Sequence, residues 1–324
     1  MSEASIKERI LSWLNLNKPE ETNVIQEVEE KAVIPEEYKR RFNLDPVVDP
    51  SQLLGRDEIQ DQIKQAYGNW KISNNPLLIV AEHGVGMSSL LNCSSQLFDE
   101  LILIENIVNI GNRAKLVQTL KSNLQLDDSV SNLTQIAEAI PEESNLTIVF
   151  ENVERLFLRK VNGFNVLEDF LLFIHSTKDK IFWIITINDY SYYYLNETKA
   201  FASNFLSTIK LQGLKQEIIT DAITQRNSGY DVHYFRPKKF SSISSRNFKE
   251  ASGETQQEIL EENYYKQMLN FAKGNISIAF IYWLQSVKMI EDKTIYVRAF
   301  EPNPFSDLSL DELLTLEAIH QHSS

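Results

Sequence analysis

A short segment at residues 77–91 constrains the fold of this chain more than any other part of the sequence. Its residues, LLIVAEHGVGMSSLL, predict a buried strand that leads into a glycine-containing loop and then into a helix. Glycines let the backbone N–H groups of such a loop approach an anion, and the start of the helix adds a partial positive charge. The segment therefore has the layout of a phosphate-binding loop.

The loop departs at two positions from the pattern G-x-x-x-x-G-K-[ST] of phosphate-binding loops. Gly86 aligns with the second glycine, and Ser88 aligns with the hydroxyl that binds Mg²⁺. Ala81, however, stands where the first glycine belongs, and Met87 stands where the lysine belongs. Short glycine loops also occur for packing reasons alone, so the interpretation depends on the elements that follow.

Four further apolar runs predict buried strands, at residues 101–107, 146–150, 181–187 and 207–211. Helical patterns alternate with these runs, which favours a parallel sheet with both faces covered. Ligands bind such sheets at the carboxyl ends of the strands. In this chain those ends carry residues 82–88, the pair Glu151 and Asn152, and Asn188.

The chain changes character after the fifth predicted strand. Its patterns predict helices at residues 214–227, 255–273 and 276–289, a candidate strand at 294–300, and a further helix that begins near residue 308. The aromatic run at residues 190–194 is predicted to be the buried start of a helix rather than a recognition surface.

The formal net charge of −13 opposes a broad electrostatic grip on nucleic acid or on anionic lipid. Residues 230–249 are the local exception, because they interleave lysine and arginine with tyrosine and phenylalanine. That composition suits single-stranded nucleic acid or an acidic partner. A solvated insertion whose aromatic rings pack on neighbouring helices is the alternative.

Two absences in the sequence bear on the compartment. The single cysteine, Cys93, leaves no intrachain disulfide, which fits a reducing environment. No stretch reaches the ~18 uninterrupted apolar residues of a membrane span. We therefore expect a cytoplasmic protein without a membrane span.

Residues 50–300 resemble the AAA+ ATPases. The resemblance rests on the order of a strand, a phosphate loop, an acidic strand end, an asparagine strand end and a helical segment. Within that superfamily these residues are most similar to the origin-recognition-type and STAND-type branch. The resemblance implies an α/β fold with a three-layer parallel P-loop sheet in the order 5-1-4-3-2 and a C-terminal helical lid. It implies an acidic lead-in with a short helix at 1–48, a nucleotide-binding domain at 49–212, the lid at 213–300, and a winged-helix start or docking segment at 301–324.

The resemblance also implies a site for ATP or ADP with Mg²⁺. Residues 53–56 match the segment that holds adenine in the family, residues 82–88 match the Walker A loop, and residues 146–152 match the Walker B strand. Asn188 matches the polar residue called sensor 1. The nucleotide-binding residues so implied are Gly55, Arg56, Glu82, His83, Gly84, Val85, Gly86, Met87, Ser88, Ser89, Asn152 and Asn188, with Ser88 and Glu151 on the metal. For His83, a solvent-facing loop position is the alternative.

The departures from the family pattern all fall in the machinery of hydrolysis. Met87 removes the lysine that contacts the β- and γ-phosphates. Glu151 keeps a carboxylate for the metal, but Asn152 puts an amide where the base that activates water belongs. Ile276 and Ser277 stand where the family often has the sensor 2 arginine, and no arginine lies between residues 200 and 211 to act as a finger. At most a slow ATPase is expected.

The sequence thus favours a pseudo-ATPase, a degenerate AAA+ nucleotide-binding module with little or no hydrolysis. Such a module would act as a conformational switch or scaffold for a protein partner, or would self-associate. Two alternatives stay open. One is a DNA-associated AAA+ ATPase of the initiator or transposition-helper type, which would use residues 230–249 or a winged helix. The other is a scaffold with an empty nucleotide site.

Overall fold

The computed structural model describes residues 34–105, 111–235, 252–299 and 308–322. These residues form two compact units. The sheet unit consists of Asn43–Arg226 and Leu269–Phe280. The second unit takes the described residues of Met1–Phe42, Asn227–Met268 and Ile281–Ser324. The predicted short helix near residues 6–14, most of the basic segment 230–249 and residues 301–307 lie outside the described residues.

The elements are numbered here in chain order. The strands are β1 (Leu77–Ala81), β2 (Glu100–Ile104), β3 (Leu146–Phe150), β4 (Ile181–Asn188), β5 (Ser207–Leu211), β6 (Asp231–Tyr234), β7 (Val287–Glu291) and β8 (Thr294–Val297). The α-helices are α1 (Glu36–Arg40), α2 (Asp57–Ser73), α3 (Met87–Cys93), α4 (Arg113–Asn123), α5 (Leu133–Ala139), α6 (Asn165–Thr177), α7 (Asp189–Lys199), α8 (Gln216–Arg226), α9 (Gly253–Ala272), α10 (Ile276–Ser286) and α11 (Leu310–His322).

The sheet unit is built on five parallel strands in the order β2-β3-β4-β1-β5. This confirms the predicted P-loop sheet, whose order 5-1-4-3-2 is the same arrangement viewed from the other edge. The register aligns Ala81 with Asn188 and Phe150 with Ile185. Polar residues that follow β1, β3 and β4 are therefore brought to one edge of the sheet, as the sequence predicts.

The core of the sheet unit has two halves, because successive residues of a strand point to opposite faces of a sheet. On one face Leu78 and Trp183 pack with residues of helices α4 to α7. On the other face Leu77 and Ile79 pack with α2 and α3. Strands β1 and β3 are buried along their whole length, which explains why both read as continuous apolar runs.

The second unit contains a three-stranded sheet in the order β6-β8-β7. Here the prediction of one helix over residues 276–289 is wrong at its end, since α10 stops at Ser286 and β7 begins at Val287. The cause is a non-local pairing: β7 runs antiparallel to β8 after a turn through Asp292 and Lys293, which have φ values of 45° and 67°. The helices predicted at 255–273 and from residue 308 are present as α9 and α11.

A buried hydrogen-bond chain holds the start of the described chain within the second unit. The hydroxyl of Tyr38, in α1, donates to Asn227 Oδ1 at 2.7 Å and accepts from Trp283 Nε1 at 2.8 Å. Residues near position 38 are therefore part of a folded unit, although the sequence reads there as a polar lead-in.

Two further observations concern the surface of the chain. The aromatic run at 190–194 was predicted to be buried, but Tyr190 and Tyr193 are each 58% exposed. The reason is that α7 begins at Asp189 and turns only one face, with Leu195, into the core. Among the described residues no helix is both long and apolar enough to cross a membrane.

Candidate functional site

A cleft of about 560 Å³ opens at the carboxyl edge of the five-stranded sheet, within the sheet unit. This volume suits a small-molecule ligand. Four parts of the chain line it. They are residues 82–89, the residues that follow β3 and β4, residues 43–56, and a group from α8, α10 and the adjoining loops that includes Leu214, Arg226, Ser277 and Phe280.

The glycine loop between β1 and α3 has the conformation that its glycines allow. Gly84 and Gly86 have φ values of 81° and 93°, in the left-handed region that side chains disfavour. A Cβ atom at Gly84 would also lie 2.7 Å from Asn275 Oδ1, so that position has no room for a side chain. Glu82 and His83 are exposed, whereas Val85 is buried.

The carbonyl groups of this loop are held by the start of α10. Asn275 Nδ2 donates to His83 O at 2.6 Å, and the N–H of Ser277 donates to Gly84 O at 3.3 Å. The oxygen of the same Asn275 side chain accepts the N–H of Ile278 and so caps α10. Ile276 and Ser277, at the place expected for a sensor 2 arginine, both line the cleft.

Ser88 and Glu151, predicted to hold the metal, lie side by side. Ser88 Oγ donates to Glu151 Oε2 at 3.3 Å. Glu151 is only 5% exposed, and its Oε1 atom has no hydrogen-bond partner among the described residues. Burial raises the pKa of Glu151, as does the nearby Glu105, while the Ser88 hydrogen bond lowers it.

A buried carboxylate with an open oxygen next to a hydroxyl fits Mg²⁺, which takes oxygen ligands. Among the described residues no group of three His, Cys, Asp or Glu side chains is placed to hold a metal ion. Ser88 and Glu151 are the two predicted protein ligands that the described residues bring together. In such a set Mg²⁺ completes its coordination with water and with phosphate oxygens of a ligand.

Asn152 and Asn188 both line the cleft, Asn152 with its main-chain N–H and Asn188 with its side chain in hydrogen bonds to the protein. The N–H of Asn152 donates to Thr186 Oγ1 at 2.9 Å, and its φ of 58° lies in the left-handed region. Asn188 Oδ1 accepts the N–H of Ser191 at 2.8 Å, and Asn188 Nδ2 donates to Glu154 Oε1 at 2.6 Å. Glu154, a carboxylate that sequence reasoning missed, thus holds the Asn188 amide, which was predicted to be sensor 1.

Arg56 lines the cleft, and Gly55 precedes it in the chain. Arg56 is 5% exposed, and its guanidinium donates to Val85 O at 2.6 Å and to Gln212 O at 2.8 Å. Burial lowers the pKa of Arg56 to about 10. Gly55 has a φ of 64°, and a Cβ atom there would lie 2.3 Å from Ile218. The pair matched to the adenine segment therefore contacts the phosphate loop and α8.

Residues 43–49 form a strap along the cleft that sequence reasoning missed. The N–H of Val47 donates to Ser89 Oγ at 3.0 Å, so the hydroxyl of Ser89 is engaged by the strap. Val48 is 73% exposed and leaves an apolar surface at the cleft. The only sequence signal here was an extended, proline-containing stretch, which does not indicate a ligand.

Met87 and two arginines complete the lining. Met87 borders the cleft and also packs against the apolar cluster beneath α3. Arg155 and Arg226 were not predicted as site residues, because neither belongs to a motif. The guanidinium of Arg226 lies 4.4 Å from the centre of the Phe280 ring. Arginines at a cleft edge suit phosphate or carboxylate groups.

The fold and the loop define an α/β protein of the P-loop type. No protein-family model matches the sequence, and no curated protein matches it. Solved structures do resemble it. The ORC2 protein of Aeropyrum pernix, in ADPNP and ADP complexes, is 14% identical over 58% of this chain and 55% of that chain, with a TM-score of 0.45.

Two other similar structures have comparable scores. The Walker-type ATPase paby2304 of Pyrococcus abyssi is 15% identical, with 75% of this chain and 70% of that chain covered and a TM-score of 0.45. The ORC1 protein of Aeropyrum pernix in complex with DNA is 8% identical, with 75% and 62% covered and a TM-score of 0.48. The chain thus spans about half of the ORC2 structure and somewhat more of the other two.

Proposed function

We propose that this chain is a degenerate AAA+ module, related to the origin-recognition and STAND types, that binds ATP or ADP with Mg²⁺. The proposed domain boundaries remain those expected from the sequence, at 1–48, 49–212, 213–300 and 301–324, and the two compact units divide the segment 213–300 between them. The nucleotide would lie on the loop at 82–89, with its base beside the strap. Bound nucleotide would set the conformation that a protein partner recognises.

The observation that carries the proposal is the burial of the Glu151 carboxylate. A carboxylate that is 5% exposed and has an oxygen without a partner among the described residues is costly to keep in an apolar interior. Mg²⁺ with a phosphate ligand would remove that cost. The position of Ser88, 3.3 Å away, supplies the second protein oxygen that such an ion needs.

Calorimetry with ATP and ADP, each with and without Mg²⁺, tests the proposal. We expect micromolar or weaker binding that Mg²⁺ strengthens, because a charge-assisted contact of roughly 1.5–3 kcal/mol is lost with the lysine. Glu151→Gln should abolish the effect of Mg²⁺. Glu143→Gln, which removes an exposed carboxylate, is the matched control and should bind like the natural protein. No heat at millimolar nucleotide would refute the proposal.

Slow turnover is part of the proposal. Asn152 cannot accept a proton, and the amide of Asn188 is held by Glu154 and the start of α7. We expect hydrolysis far below the roughly 1 per second of a working phosphoryl-transfer enzyme. Nucleotide exchange would then set the state of the module.

A further inference from the structure

Arg56 carries a buried positive charge directly behind the phosphate loop. Its guanidinium donates to Val85 O at 2.6 Å, and Val85 is a member of that loop. The second donor contact goes to Gln212 O at 2.8 Å, at the end of β5. Both acceptors are neutral main-chain carbonyl groups, and the side chain is only 5% exposed.

None of the ion pairs found among the described residues includes Arg56. In these pairs, therefore, no carboxylate balances its charge. Burial alone accounts for the lowered pKa of the guanidinium, with no opposing contribution from a neighbouring acid. A buried charge without a counter-charge destabilises a folded protein. An anion bound close by would relieve this destabilisation.

The charge of Arg56 lies where it can stabilise an anion bound at the loop. The carbonyl of Val85 and the N–H of Gly86 belong to one peptide group. A donor on the carbonyl polarises that group and strengthens its N–H as a donor. In phosphate loops such N–H groups are the ones that approach the anion. The charge itself also acts over several ångströms, because the surroundings are poorly screened.

We infer that Arg56 supplies, from behind the loop, the positive charge that Met87 cannot supply at the position of the missing lysine, and that it gives the site its preference for polyphosphates. This inference rests on the proposed nucleotide site. It makes Arg56 a positioning and electrostatic residue rather than a contact of the adenine base. The ligand class is a nucleoside di- or triphosphate, with monophosphates bound weakly.

The test compares Arg56→Gln with Lys64→Gln, which removes an exposed charge from α2, the helix that begins directly after Arg56. Calorimetry is run with Mg-ATP, Mg-ADP and AMP. In Arg56→Gln we expect ATP affinity to fall about ten-fold and AMP affinity to change less than about two-fold. Lys64→Gln should match the natural protein with every nucleotide.

A rescue experiment separates charge supply from a merely structural role. Adding Met87→Lys to Arg56→Gln should restore the preference for ATP over AMP, because a lysine at position 87 replaces the lost charge. A structural defect at position 56 would not be repaired in this way. If Arg56→Gln does not fold, Arg56→Lys is used, and it should retain the preference because it retains the charge.

The outcomes distinguish this inference from the proposed function. Suppose that the natural protein binds ATP and that folded Arg56→Gln shows the same ratio of ATP affinity to AMP affinity. The role of Arg56 is then refuted, and the proposed nucleotide site stands. The role of Arg56 is also refuted if folded Arg56→Lys loses the preference for ATP over AMP, or if Met87→Lys does not restore that preference in Arg56→Gln. If the natural protein binds neither nucleotide nor pyrophosphate, both statements fail.

Discussion

At the scale of single residues, this site is defined by charges that lack their usual partners. Glu151 has an oxygen without a partner among the described residues, and both hydrogen bonds of Arg56 go to neutral main-chain carbonyl groups. Both features are costly for folding, and binding of a metal ion or an anion close by would offset that cost. Such a pattern is typical of binding sites rather than of cores.

The first prediction concerns Met87. Met87→Lys should tighten ATP binding by roughly 1–2 kcal/mol, because an ammonium would reach the β- and γ-phosphates. Met87→Leu keeps the apolar packing beneath α3 and should leave the affinity unchanged. Calorimetry gives the affinity, and phosphate release gives the turnover, which should stay slow in both variants. An unchanged affinity in Met87→Lys would mean that residues 77–91 form a structural loop.

The second prediction concerns the stability of the ligand-free protein. A carboxyl group whose pKa is raised by folding contributes stability at low pH that is lost as the pH rises through the raised value. Glu151→Gln should therefore raise the Tm at pH 7, by about 2–4 °C for a gain of roughly 1 kcal/mol. The difference in Tm between Glu151→Gln and the natural protein should become smaller as the pH falls, because Glu151 is then protonated.

The control for this stability gain is Glu143→Gln, measured by the same thermal denaturation. Glu143 is exposed, so neutralising it should shift the Tm little at either pH. A Glu151→Gln protein less stable than the natural one at pH 7 would show that the open oxygen has a partner in solution.

At this scale the sequence located the site better than it oriented the side chains. The alternation of strands and helices predicted that residues after β1 and after β3 meet at one edge of the sheet, and the family resemblance singled out Ser88 and Glu151 there. It also placed Arg56 at the cleft. It could not show that the guanidinium turns to the loop carbonyl, since direction depends on neighbours that are distant in sequence, such as Gln212.

At the scale of elements, the contact between the phosphate loop and α10 is the main feature. Two hydrogen bonds join residues that are almost two hundred positions apart, from Asn275 to His83 and from Ser277 to Gly84. The first turn of α10 thereby holds two carbonyl groups of the loop in place. The contact is made to the loop itself and needs no ligand.

The third prediction follows from this contact. Asn275→Ala removes both the cap of α10 and the bond to His83 O, and should cost roughly 1–3 kcal/mol in the free energy of unfolding. Asn132→Ala removes a comparable cap, from the N–H of Gln135 in α5, without touching the loop. Denaturant titration should show a smaller loss for Asn132→Ala.

Nucleotide affinity then distinguishes the two cap variants. Only Asn275→Ala should change it, because only that variant frees the carbonyl of His83. Equal ATP affinities in the two variants, measured by calorimetry, would show that the contact with α10 does not shape the loop.

Sequence reasoning predicted the five-stranded sheet well because β1, β3 and β4 are continuous buried runs, and helices separate all five apolar segments along the chain. It failed at β7 because the apolar pattern of α10 continues across Ser286 without a break. The change to a strand depends on pairing with β8, which local patterns do not encode. The strap at 43–49 was missed for the same reason, since its role depends on Ser89.

At the scale of the whole molecule, charge is the strongest constraint. A net charge of −13 opposes the counterion-release contribution that supports most DNA binding. The proposal of a module that acts through a protein partner is consistent with this net charge.

The fourth prediction is that the chain binds duplex DNA weakly or not at all at physiological salt. Fluorescence anisotropy with a labelled duplex at several salt concentrations measures this. Lys238 and Lys239 lie in the basic segment, outside the described residues, and Lys64 and Lys115 lie on exposed helix faces. Sub-micromolar affinity that is lost on Lys→Glu changes at the first pair, but not at the second, would favour the initiator-type alternative.

The hydrogen bonds between the loop and α10 have a thermodynamic consequence beyond stability. Linkage is reciprocal. If nucleotide changes the affinity of a macromolecule that favours one arrangement of α10, binding of that macromolecule changes the nucleotide affinity by the same factor. Under the proposed function, the chain would respond to the ratio of ATP to ADP through occupancy of the site alone. It would reset when the nucleotide dissociates, and the cycle would need no hydrolysis.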